Sequence, residues 1–239
     1  PDVDAATLRD ALRFYERHYH PGNAVLVVAG SVDAEAVRAS VEARFGSIAG
    51  GPAKTRAEPR IARGEGTRRA RIEGVLRDRR LRVVWNTPGW GTADADHIAL
   101  AMPSIAARVR ERLMADGLTA QVDGGSEPRE LGGQATLDIS ALSTDDVTGV
   151  ERIVHEEIAR FIAEGPTAAE LEESKAAYRG RIDNALADLA GRAEMLGIAE
   201  LLSGGPGQID TMLNRIAGAS AEDVRRAARE WLADGAFVL

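Results

Sequence analysis

Leu81-Arg82-Val83-Val84-Trp85-Asn86-Thr87-Pro88-Gly89 reads as a β-strand closed by a turn, and residues 94–115 after it read as one long helix. Two more strands are expected at 119–124 and 133–141, joined by a turn around Pro128, and another just upstream at 71–76. Several helices follow, and the chain ends on Phe237-Val238-Leu239, the opening of a strand. This order of strands, helix, hairpin and helices predicts an α+β lobe with a largely antiparallel sheet packed against several helices.

The helices downstream are marked by their apolar stripes. Val150, Ile153, Val154, Ile158, Phe161 and Ile162 share one face, and Gly165-Pro166 ends that helix. Thr167 and Glu170 form a capping box that opens a long helix. Its stripe runs through Leu171, Tyr178, Ile182, Leu186, Leu189 and Ala193 to the break at Gly204-Gly205-Pro206. Two shorter helices are expected at 208–216 and 221–232, the second capped by Ser220.

Upstream, Leu8, Leu12 and Tyr15 lie at helical spacing until Pro21-Gly22-Asn23 ends the helix. The β-branched run at 24–30 predicts a buried strand, and Asp33 caps a helix whose Val37, Val41 and Phe45 are expected to face inward. Between about residues 48 and 68 the periodicity lapses. The expected organisation is a segment at 1–50, a linker at 51–67 and a lobe at 68–239.

Composition narrows the chemistry. The chain has 239 residues, a net charge of -7, 44% apolar and 28% charged residues and no cysteine. Disulfides, thiolate zinc sites and thiol catalysis are therefore excluded. The acidic balance speaks against non-specific nucleic-acid binding. A basic stretch from Lys54 to Arg82 runs through Arg56, Arg60, Arg63, Arg68, Arg69, Arg71, Arg77, Arg79 and Arg80. It could form a basic patch for an acidic partner, but it lacks the interleaved aromatics of a base-stacking surface and reads as a solvated linker running into strands with charged outer faces. No apolar run approaches a membrane span.

Catalytic signatures are missing. His155-Glu156-Glu157 lacks a histidine at position 159, which is Ala159, so the H-E-x-x-H spacing fails; Ile158 likewise spoils the inverted H-x-x-E-H form. His18 and His20 are expected to serve a helix end, and His97, His155 and the pairs Glu156/Glu157 and Glu172/Glu173 to lie on the surface. No serine sits in a G-x-S-x-G elbow, and no glycine cluster has a phosphate-binding context.

Three segments together resemble the pitrilysin/insulinase family of zinc metallopeptidases, the inverzincins. These are Phe14-Tyr15-Glu16-Arg17-His18-Tyr19-His20-Pro21-Gly22-Asn23-Ala24 with the apolar run after it, Val84-Trp85-Asn86-Thr87-Pro88, and Gly165-Pro166-Thr167-Ala168-Ala169-Glu170-Leu171 continuing to Lys175 and Gly191-Arg192-Ala193-Glu194. The resemblance implies that residues 1–50 are the C-terminal strand and helix of a preceding, metal-bearing lobe, and that 68–239 form the second, non-catalytic lobe. The H-x-x-E-H helix would then precede Pro1, and both ends of the chain are expected to be cuts in a longer protein.

Supporting second lobes of the family carry an Arg and a Tyr that reach substrate; here Leu113 and Ala120 fall at those positions. Neither can donate a hydrogen bond to an oxyanion. The glycine-rich turn usual before this helix is reduced to Met102-Pro103-Ser104. The resemblance implies an inactive, substrate-enclosing portion of a zinc metalloendopeptidase. Zinc would come from the parent or a partner, the substrate would be a peptide or protein, and the other half of the chamber would be a partner. The alternative is a non-peptidase homologue acting as a binding or assembly subunit. Compartment, periplasmic or cytoplasmic, and oligomeric state are left open. Elemental analysis of the purified chain is expected to find no stoichiometric zinc, because four scattered histidines without cysteine supply no three-ligand set; one zinc per chain surviving mild chelation would overturn this.

Overall fold

Alternation in β2, Leu81–Thr87, sets the core: Leu81, Val83, Trp85 and Thr87 are buried while the residues between them are exposed or half-buried. The structure, a computed structural model, describes residues 2–51, 58, 61, 62, 64–72, 79–140, 142–144 and 146–239, apart from the side chains of Asp2 and Ser203. Among these residues five strands form one sheet in the order β1-β5-β2-β4-β3. β1 is Arg68–Arg69, β3 Gln121–Pro128, β4 Gly133–Ser140 and β5 Phe237–Val238. All pairings are antiparallel except β1 with β5. The β3–β4 hairpin is in register from Gln121↔Ser140 to Pro128↔Gly133.

The described residues divide into two compact units. Unit 2 comprises residues 58–184 and 207–239, and holds the sheet. Its central helix α4, Ala93–Ala115, is capped by the Thr92 side chain and packs on β3 and β4. α5, Val147–Glu164, buries Val150, Ile153, Val154, Ile158 and Phe161, the stripe expected from the sequence. α6, Ala168–Ala187, opens on the expected capping box, with Thr167 N donating to Glu170 Oε2 and Glu170 N to Thr167 Oγ1. α8, Gln208–Gly218, and α9, Ala221–Leu232, complete unit 2, α9 capped by Ser220.

Met102, Pro103 and Ser104 are no turn before a helix; they lie inside α4. Pro103 cannot donate to the Ala99 carbonyl, yet Met102 and Ser104 are buried on either side of it, and their packing holds the helix through the lost bond. The long helix expected over 168–203 is interrupted. Asp188 accepts from Gly191 N and starts α7, Leu189–Ser203. Two carboxylates expected on exposed faces are partly misplaced, since Glu157 is buried where α5 faces Arg108. The strand expected at 71–76 lies largely outside the described residues; 71 and 72 are not strand, and the edge is β1 instead.

Unit 1 comprises residues 1–57 and 185–206. The first division falls inside the 51–67 segment, and the return of 185–206 to unit 1 has no counterpart in the sequence expectations. Besides α1, Asp2–Ala5, the unit contains α2, Leu8–His18, α3, Ala34–Phe45, and α7. The run at 24–30 is not the expected buried strand, and Val25, Leu26 and Val28 are exposed. A strand needs a neighbouring backbone to pair its N–H and C=O groups, and no strand is found in unit 1 among the described residues. Val37 and Val41 are only half-buried and Phe45 is exposed, for the same want of a layer to pack against.

One side chain ties the helices of unit 2 together. Arg108 of α4 donates to both carboxylate oxygens of Glu170 at 2.7 Å and to the Gly165 carbonyl at 2.9 Å, and lies over the Phe161 ring at 5.0 Å. The guanidinium and the Thr167 bonds hold the Glu170 carboxyl down at about 2, against burial pushing it up. A depressed carboxylate stabilises the fold above its ordinary 4.5, and that contribution is lost as pH falls through about 2. Urea unfolding of Glu170→Gln is expected to show a loss of about 2–3 kcal/mol at neutral pH, shrinking toward zero in strong acid; a difference from wild type that does not change with pH would contradict this.

Candidate functional site

A cleft of about 300 Å³ opens in unit 2 between β3 and the helices α4, α6 and α8. Its floor is the glycine-rich part of β3, Gly124-Gly125-Ser126, and its wall is Ala95, Ala99 and Pro103 of α4. β3 is the last strand of the sheet, so its outer edge pairs with no other strand among the described residues. Gly124 is required by a close approach: a Cβ there would lie 2.4 Å from the Met102 carbonyl oxygen. Beside it, a Cβ on Gly125 would meet open space. Strand and helix thus come closest at Gly124, and Gly125 leaves the cleft open.

Trp90, Asp96, Tyr178, Arg181 and Met212 are also among the lining residues. The Arg181 guanidinium lies over the Tyr178 ring at 5.2 Å, and the Tyr178 hydroxyl donates to Met212 Sδ at 3.2 Å. Burial, with Asp96 adding to it, pushes the Tyr178 phenol up to about 12. It stays protonated at neutral pH and is no general base. Asp96 is buried and accepts from Arg215 Nε at 2.6 Å; burial raises its carboxyl despite that partner. Ser126 Oγ is buried without a hydrogen-bond partner. The cleft offers a cation, an unpartnered hydroxyl and a strand edge, but no nucleophile held by a base. That inventory is one of binding groups.

At the first turn of α4 the expected surface position of His97 is corrected: it is 7% exposed. α8 and α9 cover that turn, with Arg226 Nη2 and Trp231 Nε1 donating to Asp94 at 2.6 and 2.9 Å. The Asp94 carboxyl is pushed up by burial, but these two donors outweigh that and leave it below its ordinary value.

The zinc that the family resemblance implies does not fit the residues described here. Among them no cluster of three His, Asp or Glu side chains could hold a metal. His20 Nδ1 faces the Gly50 carbonyl at 2.7 Å and Nε2 the Arg17 carbonyl at 3.2 Å. Asn23 Nδ2 donates to the His18 carbonyl, and Gly22 N to the Gly50 carbonyl. The His18-to-Asn23 motif is therefore a backbone lock in unit 1. His155 is half-buried, and its Nε2 lies 3.4 Å from Glu151, which also accepts from Arg69.

Leu113 is 1% exposed, within the core of unit 2, and Ala120 is half-buried against that core. Both pack, and Leu113 has no surface to offer a substrate. Arginines of the basic stretch are engaged singly, Arg82 with Asp138, Arg69 with Glu151 and Arg68 over Phe237. Lys54, Arg56, Arg60, Arg63 and Arg77 lie outside the described residues. Sequence reasoning missed Arg181, Tyr178 and Asp96 as neighbours; the Gly124-Gly125 pair was the one signal pointing to the cleft.

Adjacent glycines should separate in a stability assay. Gly124→Ala is expected to cost about 1–3 kcal/mol in denaturant unfolding, because its methyl meets backbone. Gly125→Ala should cost less than about 0.5 kcal/mol. Equal effects would mean that β3 does not rest on α4 as described.

No helix among the described residues is long and apolar enough to cross a membrane. An uncharacterized zinc protease of Streptomyces coelicolor is 30% identical over 96% of this chain, and the chain spans about half of that relative, 52% of its length. The structure is similar to the peptidase M16 inactive domain from Pseudomonas fluorescens, with a TM-score of 0.83 and 19% identity, covering 99% of this chain and 57% of that one. It is also similar to a chain of Complex III2 from Candida albicans, with a TM-score of 0.82 and 15% identity, covering 99% of this chain and 59% of that one. At such identities the likeness is one of fold. The family model described as the peptidase M16 inactive domain matches residues 5–178. With the α+β architecture expected from the sequence in place, this chain belongs to the peptidase M16 inactive-domain family.

Proposed function

We propose that the chain is the non-catalytic, substrate-enclosing portion of a zinc-dependent metalloendopeptidase of the pitrilysin/insulinase type, with the metal held outside this chain. The observation that carries this reading is the unpaired outer edge of β3 along a cleft that has binding groups and no reacting pair. An extended peptide satisfies such an edge with its own backbone while its side chains enter the cleft. Leu113 and Ala120, at the positions of the family's Arg and Tyr, contribute packing. Hydrolysis belongs to the zinc-bearing partner, which would form the facing half of the chamber.

Unit 1 supports the same reading. Phe14, Tyr15, Tyr19, Leu26 and Phe45 are among its exposed large apolar side chains, whereas unit 2 leaves exposed Ile72, Met114, Leu131 and Leu239 among the described residues. Exposed apolar side chains in such number mark surfaces meant to be covered, and the zinc-bearing portion is the cover proposed.

Co-expression with the zinc-bearing half tests the proposal. The pair is expected to cleave an unstructured reporter peptide that neither part cleaves alone, with zinc found in the partner. Gly125→Trp, which fills the cleft, should raise KM about tenfold with kcat little changed. A stable, zinc-loaded pair without hydrolysis would favour the assembly-subunit alternative, and unchanged KM would remove the cleft from the substrate path.

A further inference from the structure

The junction of α4 with α8 and α9 is built on charge. Arg215 of α8 binds Asp96, and Arg226 of α9 binds Asp94. His97, the next residue of α4, is buried with its Nδ1 lacking any hydrogen-bond partner. Asp223 and Arg226 face it from α9, Arg215 from α8, and Asp94 from its own helix. These four charges are two carboxylates set against two guanidiniums, so their effects on the ring largely oppose one another. Burial decides the balance and holds the ring below its ordinary 6.5.

Geometry explains why the neutral ring belongs here. In the neutral ring the unpartnered Nδ1 forgoes one hydrogen bond, whereas protonation puts a charge on a buried ring whose Nδ1 has no partner to share it. We propose that His97 is an acid-sensitive clasp: neutral, it lets α8 and α9 close over the first turn of α4, and protonated, it releases them. α8 also carries Met212 in the cleft lining and Arg215 against Asp96, so release would loosen one wall of the cleft. The clasp stands independently of what the cleft binds.

Because the folded ring is depressed, its contribution is fully present above 6.5 and is lost as pH falls from there through the folded value. Amide hydrogen exchange on the whole chain, corrected for intrinsic rates, reads this directly. From about pH 7.5 to about pH 5, exchange in α8 and α9 should rise by up to about tenfold per pH unit, while the β2–β4 ladder stays protected. His97→Gln, which cannot titrate, should flatten that profile. Should the variant fold poorly, the His97 ring signal of the wild type serves instead, titrating below 6.5 with α8 and α9 opening over the same range. An unchanged acid profile in His97→Gln, or a ring titrating at or above 6.5, would overturn the proposal.

Discussion

The Arg108 guanidinium, held by both oxygens of Glu170 and by the Gly165 carbonyl and laid over Phe161, is the contact from which the rest of unit 2 is positioned. It fixes α4 against the end of α5 and the start of α6 at once. Charge-assisted, two-pronged bonds of this kind are directional as well as strong. An apolar core alone sets distance between helices but tolerates sliding. With α4 pinned, its Met102 carbonyl is where Gly124 must pass, and with α6 pinned, Tyr178 and Arg181 reach the cleft.

The elements of unit 2 were legible because each carried local information. The α5 stripe, the Thr167/Glu170 box and the Ser220 cap are patterns within a few residues, and all are present. What was not legible came from long-range packing. His97 read as a first-turn surface residue, and it is buried with Asp96 because helices more than a hundred residues later cover that turn. Asp188 falls inside the long helix expected through Leu171 and Ala193, yet its carboxylate restarts the helix by accepting from Gly191 N. The cleft groups were hidden for a similar reason, since Ser126, Tyr178 and Arg181 come from segments that no spacing rule connects.

Unit 1 teaches the complementary lesson. Its α2 and α3 caps form as local chemistry dictates, with Thr7 and Asp33 accepting from the helix N-termini. The run at 24–30 has strand composition and no strand partner, and composition without a partner is not enough. Family membership matches the resemblance seen in the sequence, and the likeness to an M16 inactive domain and to a chain of Complex III2 is one of fold.

The place of β5 in the sheet bears on how the chain reaches this fold. β5 lies between β1 and β2, with Leu239 N and Arg82 N each donating to the other's carbonyl at 2.8 Å. During synthesis the β3–β4 hairpin and its pairing with β2 can form early, but the other edge of β2 stays bare until residues 237–239 emerge. Contacts of such sequence separation form late, after the loop-closure entropy has been met. For that interval a nascent chain presents an apolar strand edge of the kind other chains can capture. A ribosome stalled before β5 would thus leave a species prone to aggregate, with nearly all of this unit's core already made.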